Sequence, residues 1–413
     1  MAISLSNNDF RITFFRRQIL IVLIVIQGSV NLYSTTIRIP FRYVQSFIIL
    51  DFKLENLLPV KLIFDTGAEH NLLFHKNSTD LIQGSYQREL KIMGSDLKRE
   101  IPALLTHELS VQVNPRFFIN EQFLVLMEPS ESLNEIIGEK VDGILSAGTF
   151  RNYIIEINYK RKFILLTDRN QLEKKTKNYK SCDIQLFRGK PFLKSEFEIN
   201  PDSASHYSLN LLLDTGAGLS LLIYRSAQST LAIPDKIITF MLCSGIGGLL
   251  EGFIGKAKKL TFCSTEFTDV ITNYQEISED YALKEGQTKQ GLIGNHILEK
   301  FNFILDYSSS KIYLKAISNN PVVNYDRSGL SVIAGGANLN RYYIAYVIPG
   351  SPADSAGIKS GDRIKSINGR SSAFLSLSSI QKRLTRNPGN KIRLNLQRGK
   401  EKIVSKIVLR DLL

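Results

Sequence analysis

An Asp-Thr-Gly-Ala segment occurs twice in this chain, each copy ending an apolar run: LIFDTGAEHNLLF at residues 62–74 and LLLDTGAGLSLLIY at 211–224. Asp65 and Asp214 stand 149 residues apart. A second landmark repeats at almost the same distance. DGILSAGTFRNYIIEINYKRKFILL (142–166) corresponds to QGLIGNHILEKFNFILDYSSSKIYL (290–314), with Gly143, Phe150, Tyr153 and Tyr159 matching Gly291, Leu298, Phe301 and Tyr307 at an offset of 148. Two independent landmarks at one spacing indicate a duplicated unit of about 150 residues, the size of one lobe of a two-lobed domain. A duplicated pair of lobes invites a pseudo-two-fold arrangement in which the two aspartates meet at the axis.

Each unit reads as mostly strand. SFIILDFKLEN and VKLIFDTG are β-prone runs separated by a turn containing Pro59, and PFLKSEFEI and SLNLLLDTG repeat the pattern across NPDSASHY. Each Asp thus ends a buried strand, and Gly67 and Gly216 release the turn that follows. Short helices are expected only after the second landmark, as in HILEKF (296–301).

A lone carboxylate at a strand end is usually a turn former. Two brought together at an axis are a different object. Like charges about 3 Å apart cannot both ionise, so the pair holds one proton and titrates as a unit. Its ionised member can take a proton from a water between them while the other protonates a carbonyl oxygen. Thr66 and Thr215 carry short hydroxyls that can hydrogen-bond across the axis, and the glycines let backbone approach the pair. On these residues the chain resembles the aspartic peptidases, with the two-lobed layout of the pepsin-like enzymes and short lobes reminiscent of the retropepsins. The resemblance covers roughly residues 40–316 and includes the LIG element (292–294), whose first-lobe counterpart is ILS (144–146). It implies a mainly β, two-lobed fold, catalytic roles for Asp65 and Asp214, supporting roles for Thr66, Gly67, Thr215 and Gly216, and no cofactor or metal. It also implies that each later element threads beneath its Asp loop. Ser146 stands where the family usually has Gly, which loosens the expected packing under Asp65.

The families close a hairpin flap over the cleft. The turn MGSDLKRE (93–100), with Gly94 at its tip, and its second-lobe counterpart SGIGGLLEG (244–252), with Gly247, are the candidates. Ala68 and Ala217 follow the two motifs where pepsin-like enzymes often have Ser or Thr. Without a side-chain donor there, the pair should lose its proton at higher pH, which places activity at mildly acidic to neutral pH.

From about residue 326 the chain changes character. In SPADSAGIKSGDRIKSINGR (351–370), Ser351 caps a short helix, Pro352 takes its first turn and Gly357 ends it. Asn368-Gly369 makes a hairpin turn, and SIQKRLTR (379–386) is a helix with Ile380 and Leu384 on one face. This stretch resembles a bacterial PDZ domain, which implies binding of extended peptide C-termini by strand addition. By that resemblance the carboxylate loop lies at Gly329, Leu330, Ser331 and Val332.

A net charge of +13 raises the question of nucleic acid, but the basic residues are spread along the chain and aromatic-interleaved basic motifs are absent. Arg16 and Arg17 precede ILIVLIVI (19–26), too short to span a bilayer and followed by small polar residues. This describes an export signal within residues 1–34, or a membrane anchor if it stays uncleaved. The expected location is therefore periplasmic or extracellular. Cys243 and Cys263 can face each other across a hairpin, and buried free thiols are the competing reading. His70 and His75 lie in an apolar stretch that favours packing roles. The expected domains are 35–173 and 174–318 for the two lobes and 319–413 for a linker and PDZ domain. The expected function is an endopeptidase acting on peptide or protein substrates, against the alternative of a catalytically silent peptide binder using the same cleft.

Overall fold

Both copies of the repeat contribute to the sheet at the centre of the molecule. In the computed structural model, which describes residues 36–76, 86–128, 132–200, 206–226, 228–246, 248–285, 289–317 and 325–413, that sheet runs Thr36–Pro40, Phe163–Thr167, Ile154–Asn158, Phe301–Asp306, Lys311–Ala316, Lys180–Asp183. The two halves join where Ile154–Asn158 pairs antiparallel with Phe301–Asp306. Glu156 faces Ile304, its own counterpart in the repeat, while Ile155 faces Leu305 and Ile157 faces Phe303. Exchanging the copies leaves this register unchanged, so a local two-fold axis passes through the Glu156–Ile304 pair. Ile155, Ile157, Phe303 and Leu305 are buried in the core shared by both lobes, and that apolar face holds the halves together.

Each lobe repeats one motif. The strand Leu58–Asp65 enters the first Asp loop and Asn71–Leu73 leaves it. Gly143–Ser146 lies between them, parallel to the first and antiparallel to the second. In the second lobe Gly291–Ile293 lies in the same way between His206–Leu213 and Leu221–Arg225. Leu62, Ile63 and Phe64 are all buried because both faces of their strand are covered. The threading is close: a Cβ on Gly143 would fall 2.0 Å from the Leu72 carbonyl oxygen, and one on Gly291 2.2 Å from that of Leu222.

The C-terminal module has its own five-strand path, Leu330–Gly335, Arg341–Val347, Arg363–Ile367, Lys391–Arg398, Glu401–Val408, around a core that includes Ile344, Ile364, Ile380 and Leu394. Ser351 accepts from the Asp354 amide at 3.2 Å as a helix cap. The helix Leu377–Leu384 starts two residues before the expected point because Ser376 caps it through the Ser379 amide. Asn368 and Gly369 both have positive φ, as a tight hairpin turn requires. The module packs on the lobes within the single unit Ile37–Leu413. The helix Ser132–Ile137 of the first lobe lies against the strand Leu330–Gly335, and Lys256 of the second lobe donates to the Leu413 main-chain oxygen at 2.9 Å.

Several local expectations change. The first turn is made by Glu55 and Asn56, both at positive φ, and Pro59 lies inside the following strand. Helices also precede the second landmarks, at Ser132–Ile137 and Glu279–Glu285. Cys263 bonds to Cys182 across the packed sheets instead of facing Cys243; these two are brought together by tertiary packing that no hairpin spacing reveals. The export segment lies outside the described residues. Among the described residues no helix is long and apolar enough to cross a membrane.

Candidate functional site

The two Asp-Thr-Gly loops meet at the local axis. The Thr66 amide donates to Thr215 Oγ1 at 3.0 Å, and the Thr215 amide donates to Thr66 Oγ1 at 3.0 Å. Each hydroxyl then donates onward across the axis, Thr66 to the Leu213 carbonyl at 2.6 Å and Thr215 to the Phe64 carbonyl at 2.8 Å. Four hydrogen bonds thus lock two buried loops whose polar groups have no water to turn to.

This lock sets the carboxylates. A Cβ on Gly67 would fall 2.6 Å from Asp214 Cγ, and one on Gly216 would fall 2.2 Å from Asp65 Oδ2. Glycine is required at both positions by close approach. Asp65 Oδ1 accepts from the amides of Gly67 at 2.6 Å and Ala68 at 3.1 Å, and Asp214 Oδ1 accepts from the Gly216 amide at 2.8 Å. The two carboxyls hydrogen-bond to each other. Burial, reinforced by the neighbouring Asp214 charge, holds Asp65 well above the usual carboxylate range. Burial also raises Asp214, but the positive charge of Lys289, the hydrogen bond from Asp65, the Gly216 amide and the charge of Lys190 oppose it. Both directions favour keeping a proton on the pair, which titrates as a unit.

The later elements support the loops differently in the two lobes. Ser146 pairs in register with Asp65, and its hydroxyl donates to the Ala68 carbonyl at 2.7 Å, so the serine tightens the packing expected to loosen. Asn295, which follows LIG, is fully buried and donates to the Thr215 carbonyl at 2.6 Å while accepting from the Tyr159 hydroxyl at 2.5 Å. Its first-lobe counterpart is Ala147. Tyr307, the counterpart of Tyr159, accordingly has a buried hydroxyl with no hydrogen-bond partner among the described residues.

A cavity of about 1080 Å³ opens over the carboxylates. The Gly94 turn forms part of its roof, where the Ser95 amide donates to the Ile246 carbonyl of the opposite hairpin at 2.7 Å. Gln275 adds a bond to the Asp96 carbonyl at 3.2 Å. Hairpins from both lobes therefore meet across the cavity; Gly247 itself lies outside the described residues. His70 lines this space with its side chain 57% exposed, contrary to the expected packing role, because the loop after Asp65 faces the cleft. Among the described residues no group of three or more His, Cys, Asp or Glu side chains is placed to hold a metal ion.

The same cavity extends to Leu330, Ser331, Val332 and Ile333 of the C-terminal module and to Gln381 and Thr385 on or beside its helix. Leu330–Gly335 is an edge strand, paired on one side with Arg341–Val347. At its start, Asp326 Oδ1 accepts from the amides of Ser328, Gly329 and Leu330 at 2.9, 2.7 and 3.3 Å. Burial pushes Asp326 up to about 6 against these donors. Ser331 and Val332 continue into the strand opposite Tyr346 and Ile344.

Lys289, Asn295 and Asp326 escaped the sequence reading. The first two flank LIG, and aligning the repeats exposes them as Lys against Val141 and Asn against Ala147. Asp326 carries only the signal of an acidic residue two before a Ser-Gly turn.

No curated protein sequence matches the chain. Among solved structures, the chain is similar to the aspartic proteinase from Irpex lacteus, at 12% identity and a TM-score of 0.41, covering 69% of this chain and 98% of that one. It is also similar to a photosystem II D1 C-terminal processing protease, at 20% identity and a TM-score of 0.20, covering 21% of this chain and 24% of that one. Residues 343–398 match the family described as "PDZ domain", and the C-terminal module is a PDZ domain.

Proposed function

We propose that the protein is an aspartic-type endopeptidase whose PDZ domain holds peptide beside the cleft. The observation that carries this reading is the hydrogen-bonded pair Asp65–Asp214 at the floor of a cavity large enough for an extended peptide. In this mechanism Asp214 takes a proton from a water bound between the carboxyls, and the water oxygen attacks the peptide carbonyl carbon. Asp65 gives its proton to the carbonyl oxygen. As the tetrahedral diol collapses, Asp214 passes its proton to the departing nitrogen, the C–N bond breaks, and Asp65 recovers a proton from a diol hydroxyl. Thr66, Thr215, Gly67 and Gly216 hold the geometry, and the Gly94 and opposing hairpins cover the substrate. The PDZ edge strand lines the same cavity, which supports its addition of a peptide strand in reach of the carboxyls. The Cys182–Cys263 bond supports an exported, oxidising location.

The test is digestion of a mixed peptide library by the wild type, Asp65→Asn and Asp214→Asn, read by mass spectrometry. Cleavage by the wild type with loss to background in both variants is the expected result. Equal residual cleavage in all three overturns the mechanism, and no cleavage by any supports the silent peptide binder.

A further inference from the structure

The two lobes line the cavity over the carboxyl pair with equivalent residues, giving it a first-lobe and a second-lobe pocket wall. In the first, Leu72 pairs with Ile144; in the second, Leu222 pairs with Leu292. All four line the cavity. The residues leading into these strands superpose in their hydrogen bonds. Asp142 Oδ2 accepts from the Lys61 amide at 2.7 Å, as Gln290 Oε1 does from the Asn210 amide at 2.7 Å. The Asp142 carbonyl accepts from the Phe74 amide, as the Gln290 carbonyl does from Tyr224. Residue 289 is therefore the structural counterpart of residue 141.

In the first lobe that residue is Val141, 1% exposed, beside a helix that turns Leu133 and Ile136 to the cavity. In the second it is Lys289, which lines the cavity with its ammonium 5.2 Å from the centre of the Tyr224 ring. The equivalent helix contributes Tyr281 in place of Leu133. Lys190, with its side chain only 15% exposed, adds a second cation to this side, 3.6 Å from Glu69. Among the described residues no carboxylate lies within 4.0 Å of the Lys289 ammonium. Burial opposes the Lys289 charge, but Tyr224, Tyr281 and the negative charge of Asp214 favour it, so the ammonium stays charged at the cavity wall where the repeat has a valine.

Resting on the peptide-cleaving reading above, we infer that the second-lobe pocket is a subsite for an acidic substrate side chain, with Lys289 as its specificity-determining cation, and that the first-lobe pocket takes an apolar one. The preferred substrate is then an extended segment with an apolar residue on one side of the cleaved bond and Asp or Glu on the other.

The experiment uses peptides identical except for Glu, Gln or Leu at the second-lobe subsite, with a fixed apolar residue across the bond. Cleavage is read as kcat/KM on the full chain. Binding of the same peptides to the Asp65→Asn protein is read by fluorescence anisotropy. A charge-assisted contact should favour Glu over Gln by about tenfold or more in both readouts. Lys289→Met should bring that ratio near one in both readouts, and Lys289→Arg should restore the preference. A Glu/Gln ratio unchanged by Lys289→Met overturns the inference. So does an equal loss on all three peptides, which would make Lys289 a partner of the carboxyl pair alone. Binding that favours Glu without any cleavage overturns the peptidase reading and upholds the subsite; cleavage with no Glu preference does the reverse.

Discussion

Thr66 and Thr215 each give an amide hydrogen to the other's hydroxyl, both at 3.0 Å, and each hydroxyl donates to a carbonyl on the opposite lobe. The lobes are thus joined at the point where the carboxyls must be held. Thr215→Val keeps the shape but leaves the Thr66 amide and Phe64 carbonyl buried and unpaired, an expected loss of about 2–4 kcal/mol. Thr215→Ser keeps both bonds and should stay near wild type. Urea unfolding measures the difference, and because each hydroxyl makes its own two bonds to backbone, the double valine variant should cost about the sum of the singles.

The broken symmetry at Asn295 gives a paired prediction. Tyr159→Phe strips a hydrogen bond from buried Asn295 Oδ1 and should cost about 1–3 kcal/mol. Tyr307→Phe removes a hydroxyl with no partner among the described residues and should be neutral or slightly stabilising. Similar losses in both, measured by thermal unfolding, would contradict this account.

The Asp65 and Asp214 carboxyls are both raised, mainly by burial, with Asp65 raised well above the usual range. The folded state therefore binds the shared proton more tightly than the unfolded chain, whose carboxylates release theirs near 3.9. Stability from this source is present at low pH and is lost as pH rises through the folded values. Asp65→Asn cannot ionise, so its Tm should fall less than that of the wild type between mildly acidic and alkaline pH. Parallel Tm curves from calorimetry would show that the pair is not raised.

At the PDZ edge, burial pushes Asp326 up to about 6. Above that value its negative charge sits at the amides of Gly329 and Leu330 and opposes an incoming peptide carboxylate. Below it the charge is gone. A peptide with a free C-terminus should therefore bind more tightly at pH 5 than at pH 7, and its amidated form should respond much less. Anisotropy with both peptides reads this directly.

The Cys182–Cys263 bond closes a loop with a sequence separation of 81. By chain entropy, replacing both cysteines with serine should cost about 4 kcal/mol. Chemical unfolding of the double variant checks the figure.

The duplication, the Asp loops and the PDZ helix cap were all legible because each depends on local sequence. Asp65 and Asp214 announce themselves by an apolar strand followed by Thr-Gly, and Ser351-Pro352 by capping chemistry. The same locality explains the failures. Glu55 and Asn56, not Pro59, make the first turn because the register of the paired strands places the reversal there. Cys182 finds Cys263 through packing between sheets distant in sequence. His70 looked like core from its neighbours and is exposed because its loop borders a cavity.

Repetition along the chain specified that two similar lobes form and which residues are equivalent, since apolar periodicity and glycine placement act over a few neighbours. Which proton sits on which aspartate, and what faces the pockets beside them, depends on charges and burial contributed by segments far apart in the chain. Lys289 illustrates the division: its identity is plain in the sequence, but only folding brings it into the cavity with Asp214, where desolvation makes its charge count.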